Sequence, residues 1–110
     1  MLSHQQRLAK EQDIRYVLGR GNIVPGKFFL LRNTASRDNM FRAGFVVSKK
    51  VSPRAVVRNL VKRRMREAVR ATHHTAQKPS WCVFIAKRSA VHASFSDLRN
   101  DIGAVFKKLS

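Results

Sequence analysis

The chain has few acidic residues and no long apolar run, and each absence limits the classes of function that the protein can have. Six Asp and Glu stand against 23 Lys and Arg in 110 residues, which leaves a formal charge of +17 at pH 7. No stretch approaches the roughly 20 apolar residues that a membrane-spanning helix requires. This charge exceeds what solubility requires, so the expected partner is a polyanion.

Cysteine is almost absent as well. Cys82 is the only one, which excludes a disulfide within the chain, and its apolar neighbours at 81–86 predict a buried, inert thiol. Polar residues follow Met1 almost immediately, without the apolar core of a signal peptide. These features favour a reducing, cytoplasmic location. A 44% apolar content suffices for one core, so we expect a single domain over 1–110.

Helical spacing and capping signals predict three helices. The first covers about 8–18 and is followed by glycines that favour its end. A long second helix is expected over about 52–72, with Ser52 as its cap and Pro53 at its first position. The last begins at 94 or 96 and ends in lysines that complement the helix dipole.

Short apolar runs predict the strands of one mixed sheet. Two runs, at 28–32 and 42–48, are separated by a polar, turn-forming stretch at 33–39, which favours a hairpin. The run at 81–86 is almost continuously apolar, which is typical of a central strand covered on both faces. A further short strand is expected at 23–24.

The second predicted helix has an apolar face and a cationic face. At 100° per residue its apolar side carries Val57, Val61, Met65 and Ala68, with Leu60 on the flank. The opposite side carries Arg58, Asn59, Lys62, Arg63, Arg66 and Arg70. A solvated face usually mixes charges, but only Glu67 opposes these cations, so a polyanion is needed to relieve their repulsion. The helix is therefore predicted to bind RNA or DNA.

A nuclease that uses its own side chains is disfavoured. His73 and His74 are neighbours whose side chains diverge by about 100° on a helix, and His4 and His92 lie in unrelated polar contexts. The few acidic residues form no ligand-spaced cluster, and no Cys-x-x-Cys is present. We therefore predict neither a catalytic residue nor a metal site in the protein.

The motifs that carry the positive charge resemble those of the bacterial ribonuclease P protein family. Lys49-Lys50 ends a predicted strand, and the helix sequence at 58–63 resembles the family signature Arg-Asn-Arg-x-Lys-Arg. The resemblance extends from Arg7-Leu8 to the strand end at 86–88 and the last helix. Leu60 departs from the signature by replacing an arginine, for which Arg64 is expected to compensate in part.

The resemblance implies an α+β fold in which a mixed sheet packs with three helices. It also implies a left-handed βαβ crossover, as in the second domain of ribosomal protein S5. The implied function is that of a subunit that binds catalytic RNA and precursor tRNA, while the RNA and its Mg²⁺ remove the 5′ leader. RNA contacts are expected from Lys49, Lys50, Arg54, Arg58, Asn59, Lys62, Arg63, Arg66 and Arg70.

The family also binds the single-stranded leader in a cleft between the first helix and the sheet. By position, the leader-binding candidates are Ile14, Tyr16, Leu18, Phe28, Phe29 and Arg32. Strand alternation lets only one of the two phenylalanines face that cleft. Phe45, Phe95 and Phe106 are expected in the core. Composition alone equally allows a basic ribosomal protein or RNA chaperone without a processing role.

Overall fold

The computed structural model describes residues 6–73 and 78–108, and this part of the chain contains three α-helices and four strands. None of these helices is long and apolar enough to cross a membrane. The elements in chain order are α1 (Glu11–Arg20), β1 (Asn22–Pro25), β2 (Phe29–Ala35), β3 (Arg42–Val46), α2 (Ala55–Thr72), β4 (Ser80–Ala86), a 3-10 helix (Arg88–His92) and α3 (Phe95–Lys108).

The four strands form one mixed sheet in the order β1-β2-β4-β3. β2 is antiparallel to β1 and β4, whereas β3 is parallel to β4, and α2 connects these parallel strands. The predicted hairpin between the runs at 28–32 and 42–48 is therefore wrong, because β4 lies between them. β4 is apolar on both faces, and a central position in the sheet keeps both faces away from water.

β4 divides the core into two clusters, as its continuous apolar sequence predicts. Cys82 and Phe84 belong to the larger cluster, beneath α2 and α3, whereas Trp81 and Val83 belong to the smaller one, beneath α1. The Cys82 side chain is fully buried, and burial raises the pKa of its thiol to about 12. The prediction of a buried thiol is confirmed.

The first helix begins at Glu11, three residues later than predicted. Leu8 instead lies beside the edge strand β3, where its backbone N–H donates to the Ala43 carbonyl oxygen at 2.9 Å. The close approach requires glycine at position 44, since a Cβ there would lie 2.9 Å from the Leu8 carbonyl oxygen. The residues just before α1 therefore extend the sheet rather than the helix.

The other two helices pack on the opposite face of the sheet. α2 begins at Ala55, because Ser52 and Pro53 belong to the preceding turn rather than to the helix start. α3 begins after Ser94, whose hydroxyl accepts from the Asp97 N–H while the Asp97 carboxylate accepts from the Ser94 N–H. These reciprocal bonds satisfy amide groups that the helix start would otherwise leave without partners.

The three phenylalanines that were expected in the core differ in how deeply they are buried. Phe106 is fully buried, and Phe45 is half-buried with its ring stacked on that of Phe84 at 5.5 Å. Phe95 is 40% exposed, so the prediction that it lies in the core is wrong. It occupies the first turn of α3, whose apolar stripe begins at Leu98.

Candidate nucleic-acid interface

One flank of α2 places cations beside α1 and the edge strand. Lys62 and Arg66, one helical turn apart, line a cavity of about 260 Å³ that we call the Lys62 cavity. Ile14 of α1 and Gly44 of β3 form part of its opposite wall, together with Arg7. The cavity therefore brings a predicted RNA-contacting helix next to a predicted leader-binding residue.

Arg7 is a functional candidate that the site prediction omitted. Its Nε atom is buried without a hydrogen-bond partner among the described residues. Burial lowers the pKa of the Arg66 guanidinium, and the positive charge of Arg7 lowers it further. An anion in the Lys62 cavity would relieve this repulsion. The only sequence signal for Arg7 is the Arg7-Leu8 match to the family.

The outer face of α2 presents the remaining predicted contacts to solvent. Asn59, Arg63 and Arg70 are exposed, and Arg70 pairs with Glu67 at 3.2 Å. Exposed ion pairs contribute little stability, so this pair leaves Arg70 able to contact a phosphate. The helix thus carries cations on its outer face and on the flank beside β3, as its periodicity predicts.

The turn between β3 and α2 is fixed by two arginines. Nη1 of Arg58 donates to the carbonyl oxygens of Ser52 at 3.0 Å and Pro53 at 2.9 Å. Nε of Arg88 donates to the Lys50 carbonyl oxygen at 2.9 Å. The side chains that this turn carries remain exposed, namely Lys49, Lys50 and Arg54.

Leu60 lies on the other flank of α2. It is 39% exposed, and Val56, one turn earlier, is 75% exposed. Arg64, one turn later, is half-buried, and its Nη1 lies 3.4 Å from the Ala93 carbonyl oxygen. Arg64 is therefore held towards the segment that precedes α3, and its compensation for the missing arginine at position 60 stays a prediction.

The face of the sheet beneath α1 collects most of the leader-binding candidates. Ile14, Tyr16 and Leu18 are half-buried against the smaller core cluster. Arg32 pairs in register with Val83, so its side chain emerges on the same face. Its Nε atom is also buried without a partner among the described residues.

Tyr16 is surrounded by cations on this face. Guanidinium carbons lie over its ring at 5.2 Å for Arg20 and 4.5 Å for Arg37. The indole of Trp81 meets the ring edge-on, with 6.4 Å between centroids. Planar guanidinium groups over an aromatic ring add charge and stacking surface to the α1 side of the molecule.

Neither candidate phenylalanine lies in the α1 cleft, so this part of the prediction is wrong. Phe29 is fully buried on the opposite face, 5.2 Å from the Phe84 ring centroid. Phe28 precedes β2, so strand alternation does not apply to it, and its ring packs against the same cluster as Phe29. Leu30 and Arg32 take the α1 face instead, opposite Ile85 and Val83.

Among the described residues, metal-ligating side chains do not cluster, and the two histidines lie on different elements. No group of three or more His, Cys, Asp or Glu side chains there could hold a metal ion. His73 directly follows α2, and its ring centroid lies 4.9 Å from that of Phe41, whereas His92 is exposed at the end of the 3-10 helix. His4 and His74 lie outside the described residues.

Comparison with known proteins matches residues 2–110 to a family model described as Ribonuclease P. The ribonuclease P protein component of Bacillus velezensis is 33% identical over 110 residues, which cover 99% of this chain and 93% of that protein. That of Alkaliphilus oremlandii is 30% identical over 104 residues, with coverage of 94% and 90%.

Solved structures agree with this match. The RNase P protein of Staphylococcus aureus superposes with a TM-score of 0.80 at 27% identity, covering 94% of each chain. That of Thermotoga maritima has a TM-score of 0.83 at 22% identity, covering 94% of this chain and 97% of that one, and supports the fold. The small α+β domain with its mixed sheet is therefore shared with these proteins.

Proposed function

Since this chain belongs to the ribonuclease P protein family, we propose that it binds the catalytic RNA and the 5′ leader of precursor tRNA and so promotes removal of that leader. The protein contributes binding, and the chemistry belongs to the RNA with its bound Mg²⁺. We expect this ribonucleoprotein to work in the cytoplasm.

The Lys62 cavity is the observation that carries the proposal. It joins Lys62 and Arg66, predicted to contact the catalytic RNA, to Ile14, predicted to contact the leader. A precursor must lie beside the catalytic RNA to be cut, so the two surfaces have to meet. The shared cavity supports this arrangement.

Phosphate neutralisation supplies the main binding energy in this proposal. The net charge of +17 releases counterions from the RNA on binding, which makes affinity strongly salt-dependent. The proposed catalytic-RNA contacts are nine exposed or half-buried side chains of α2 and its preceding turn, eight of them cationic. They are Lys49, Lys50, Arg54, Arg58, Asn59, Lys62, Arg63, Arg66 and Arg70.

Leader contacts explain how precursor would be preferred over product. The product lacks the leader, so energy from that strand favours precursor alone. Ile14, Tyr16, Leu18 and Arg32 remain candidates, since all four are half-buried on the α1 face. Apolar and guanidinium surfaces accept any base, which suits leaders of differing sequence.

The test is cleavage of a precursor tRNA at near-physiological magnesium and salt. A bacterial ribonuclease P RNA is assayed with and without this protein, and the protein is assayed alone. We expect correct 5′ cleavage that requires the RNA and is strongly enhanced by the protein. Cleavage by the protein alone would indicate a nuclease, and no enhancement would leave a general RNA-binding or ribosomal protein.

A further inference from the structure

We propose that a second cavity, at the N-terminal end of α1, binds a nucleotide of single-stranded RNA. It encloses about 630 Å³ between the residues before α1, the β2–β3 loop and Trp81, and we call it the Trp81 cavity. The inference rests on the proposed function and extends its RNA-binding surface beyond the Lys62 cavity. No residue that lines only the Trp81 cavity is among the predicted contacts.

The charges around the Trp81 cavity favour an anion. Its wall carries Arg7, Lys10, Arg37 and Arg42 against Asp13 and Asp38. Asp38 is committed to an ion pair with Arg42, with 2.7 Å between Oδ2 and Nε. None of the other three cations forms an ion pair with a described residue. Three cations therefore face a single unpaired carboxylate.

The wall is also held in place, as a binding site requires. Asp38 Oδ1 accepts from the Trp81 indole N–H at 3.1 Å and from the Ser36 hydroxyl at 2.9 Å. The Ser36 hydroxyl oxygen in turn accepts from the Met40 N–H at 2.9 Å. These bonds tie the β2–β3 loop to the start of strand β4. Arg37, the cation of this loop, is thus presented by a structured element.

The size and planar groups of the Trp81 cavity favour a nucleotide over a bare phosphate. Its volume lies within the range of about 300–1,000 Å³ that is usual for small-molecule sites. The Arg37 guanidinium is exposed and lies over the Tyr16 ring, 4.5 Å from its centroid, while the buried Trp81 indole forms part of the wall. The guanidinium plane of Arg37 can stack on a base of any sequence while Arg7 and Lys10 contact the phosphate.

The Trp81 cavity adjoins the Lys62 cavity. Arg7 and Ala9 line both, so the segment before α1 forms the wall between them. A strand that occupies the Lys62 cavity can therefore continue past Arg7 into the Trp81 cavity. The strand is either the leader or a single-stranded part of the catalytic RNA, which share the same chemistry.

The decisive variant is Lys10→Ala/Arg37→Ala, because both side chains line only the Trp81 cavity. The control is Arg99→Ala/Lys107→Ala, which removes the same charge from exposed positions of α3. The holoenzyme is tested with precursors that carry leaders of about two and about twelve nucleotides. Affinity of the protein for the catalytic RNA is measured separately.

We expect the Lys10→Ala/Arg37→Ala variant to weaken one RNA interaction by about tenfold, since it loses the phosphate contact of Lys10 and the stacking surface of Arg37. The slope of log K against log salt should fall by about 0.7, the value of one phosphate contact to a single strand. A defect confined to the long leader identifies the leader as ligand, and a defect in catalytic-RNA affinity identifies that RNA. Equal effects of the control variant, or no effect in either arm, would overturn the inference. Cleavage of the short-leader precursor reports separately on the proposed function.

Trp81 provides a direct readout because it is the only tryptophan. Binding of the long-leader precursor to the holoenzyme should change its fluorescence, and the short-leader precursor should change it less. If catalytic RNA is the ligand, the change should accompany assembly instead. The Lys10→Ala/Arg37→Ala variant should lose the change while keeping its circular dichroism spectrum. Fluorescence that is insensitive to both RNAs would contradict occupancy of the Trp81 cavity.

Discussion

The guanidinium of Arg58 is hydrogen bonded to the carbonyl oxygen of Pro53, with 2.9 Å between Nη1 and the oxygen. The bond links the first turn of α2 to the turn that precedes it. A side chain predicted only as an RNA contact therefore also fixes the turn that carries three other predicted contacts, Lys49, Lys50 and Arg54.

Arg58→Lys should weaken binding although it conserves charge. A lysine ammonium cannot reproduce the planar geometry with which the guanidinium reaches Ser52 and Pro53, so the turn loosens. We expect about 1 kcal/mol less folding stability. Affinity for the catalytic RNA, measured by filter binding, should fall. Arg63→Lys is the control, since Arg63 is exposed. Equal losses of affinity from both substitutions would show that the bonds of Arg58 to Ser52 and Pro53 do not contribute to RNA binding.

Leu60→Arg should strengthen binding to the catalytic RNA. The position is 39% exposed, so the change costs little core packing and restores the family's cation. The slope of log K against log salt should steepen by about 0.7–0.9, the value of one phosphate contact. Val56→Arg adds the same charge one turn earlier. If it gives an equal gain, the RNA does not contact position 60 specifically.

Acid should weaken the contacts that hold the β2–β3 loop. Desolvation alone would raise the pKa of Asp38, but hydrogen bonds from Arg42, Ser36 and Trp81 outweigh it and hold the pKa well below its usual range. A lowered carboxyl pKa contributes stability that is complete above the unfolded value of about 3.9 and is lost as pH falls below it.

Asp38→Asn isolates this effect in thermal melts. The difference in melting temperature between the wild type and the variant should stay constant from about pH 7 to 5 and shrink below about pH 4. Arg42 and Trp81 lose their charged acceptor in the variant at every pH. A difference that does not change with pH would show that the charge of Asp38 contributes nothing to folding.

Multivalent anions should stabilise the free protein. A charge of +17 repels itself, and sulfate that binds only the folded state at about 100 times its Kd adds about 2.7 kcal/mol. We expect sulfate to raise the melting temperature more than chloride at equal ionic strength. A melting temperature unaffected by sulfate would contradict this account.

The reactivity of Cys82 gives an independent measure of how sulfate shifts the unfolding equilibrium. Its thiol is fully buried, and burial raises its pKa to about 12, so a thiol reagent can react only after the chain opens. Sulfate should therefore slow labelling as it raises stability. Rapid labelling that sulfate does not change would show that Cys82 becomes accessible without unfolding.

Local sequence patterns predicted the structure correctly wherever the residues of one helix or strand determine it by themselves. The spacing of apolar residues predicted both faces of α2, and the continuous apolar run at 81–86 predicted the central strand β4. The hairpin prediction failed because it assumed that neighbouring runs pair with each other. Phe29 was misassigned because alternation separates the two faces of a strand but does not say which face α1 covers.

The sequence by itself determined the charge, the amphipathic cationic helix and the family motif, because these depend on composition and on spacing within one segment. Only the tertiary structure decided that Arg7 lies beside Lys62 and Arg66, and that Trp81 adjoins Arg37. These pairs are far apart along the chain and meet because the segment before α1 lies against β3 while β4 occupies the centre of the sheet. Such contacts follow from the packing of whole elements, which local spacing does not encode.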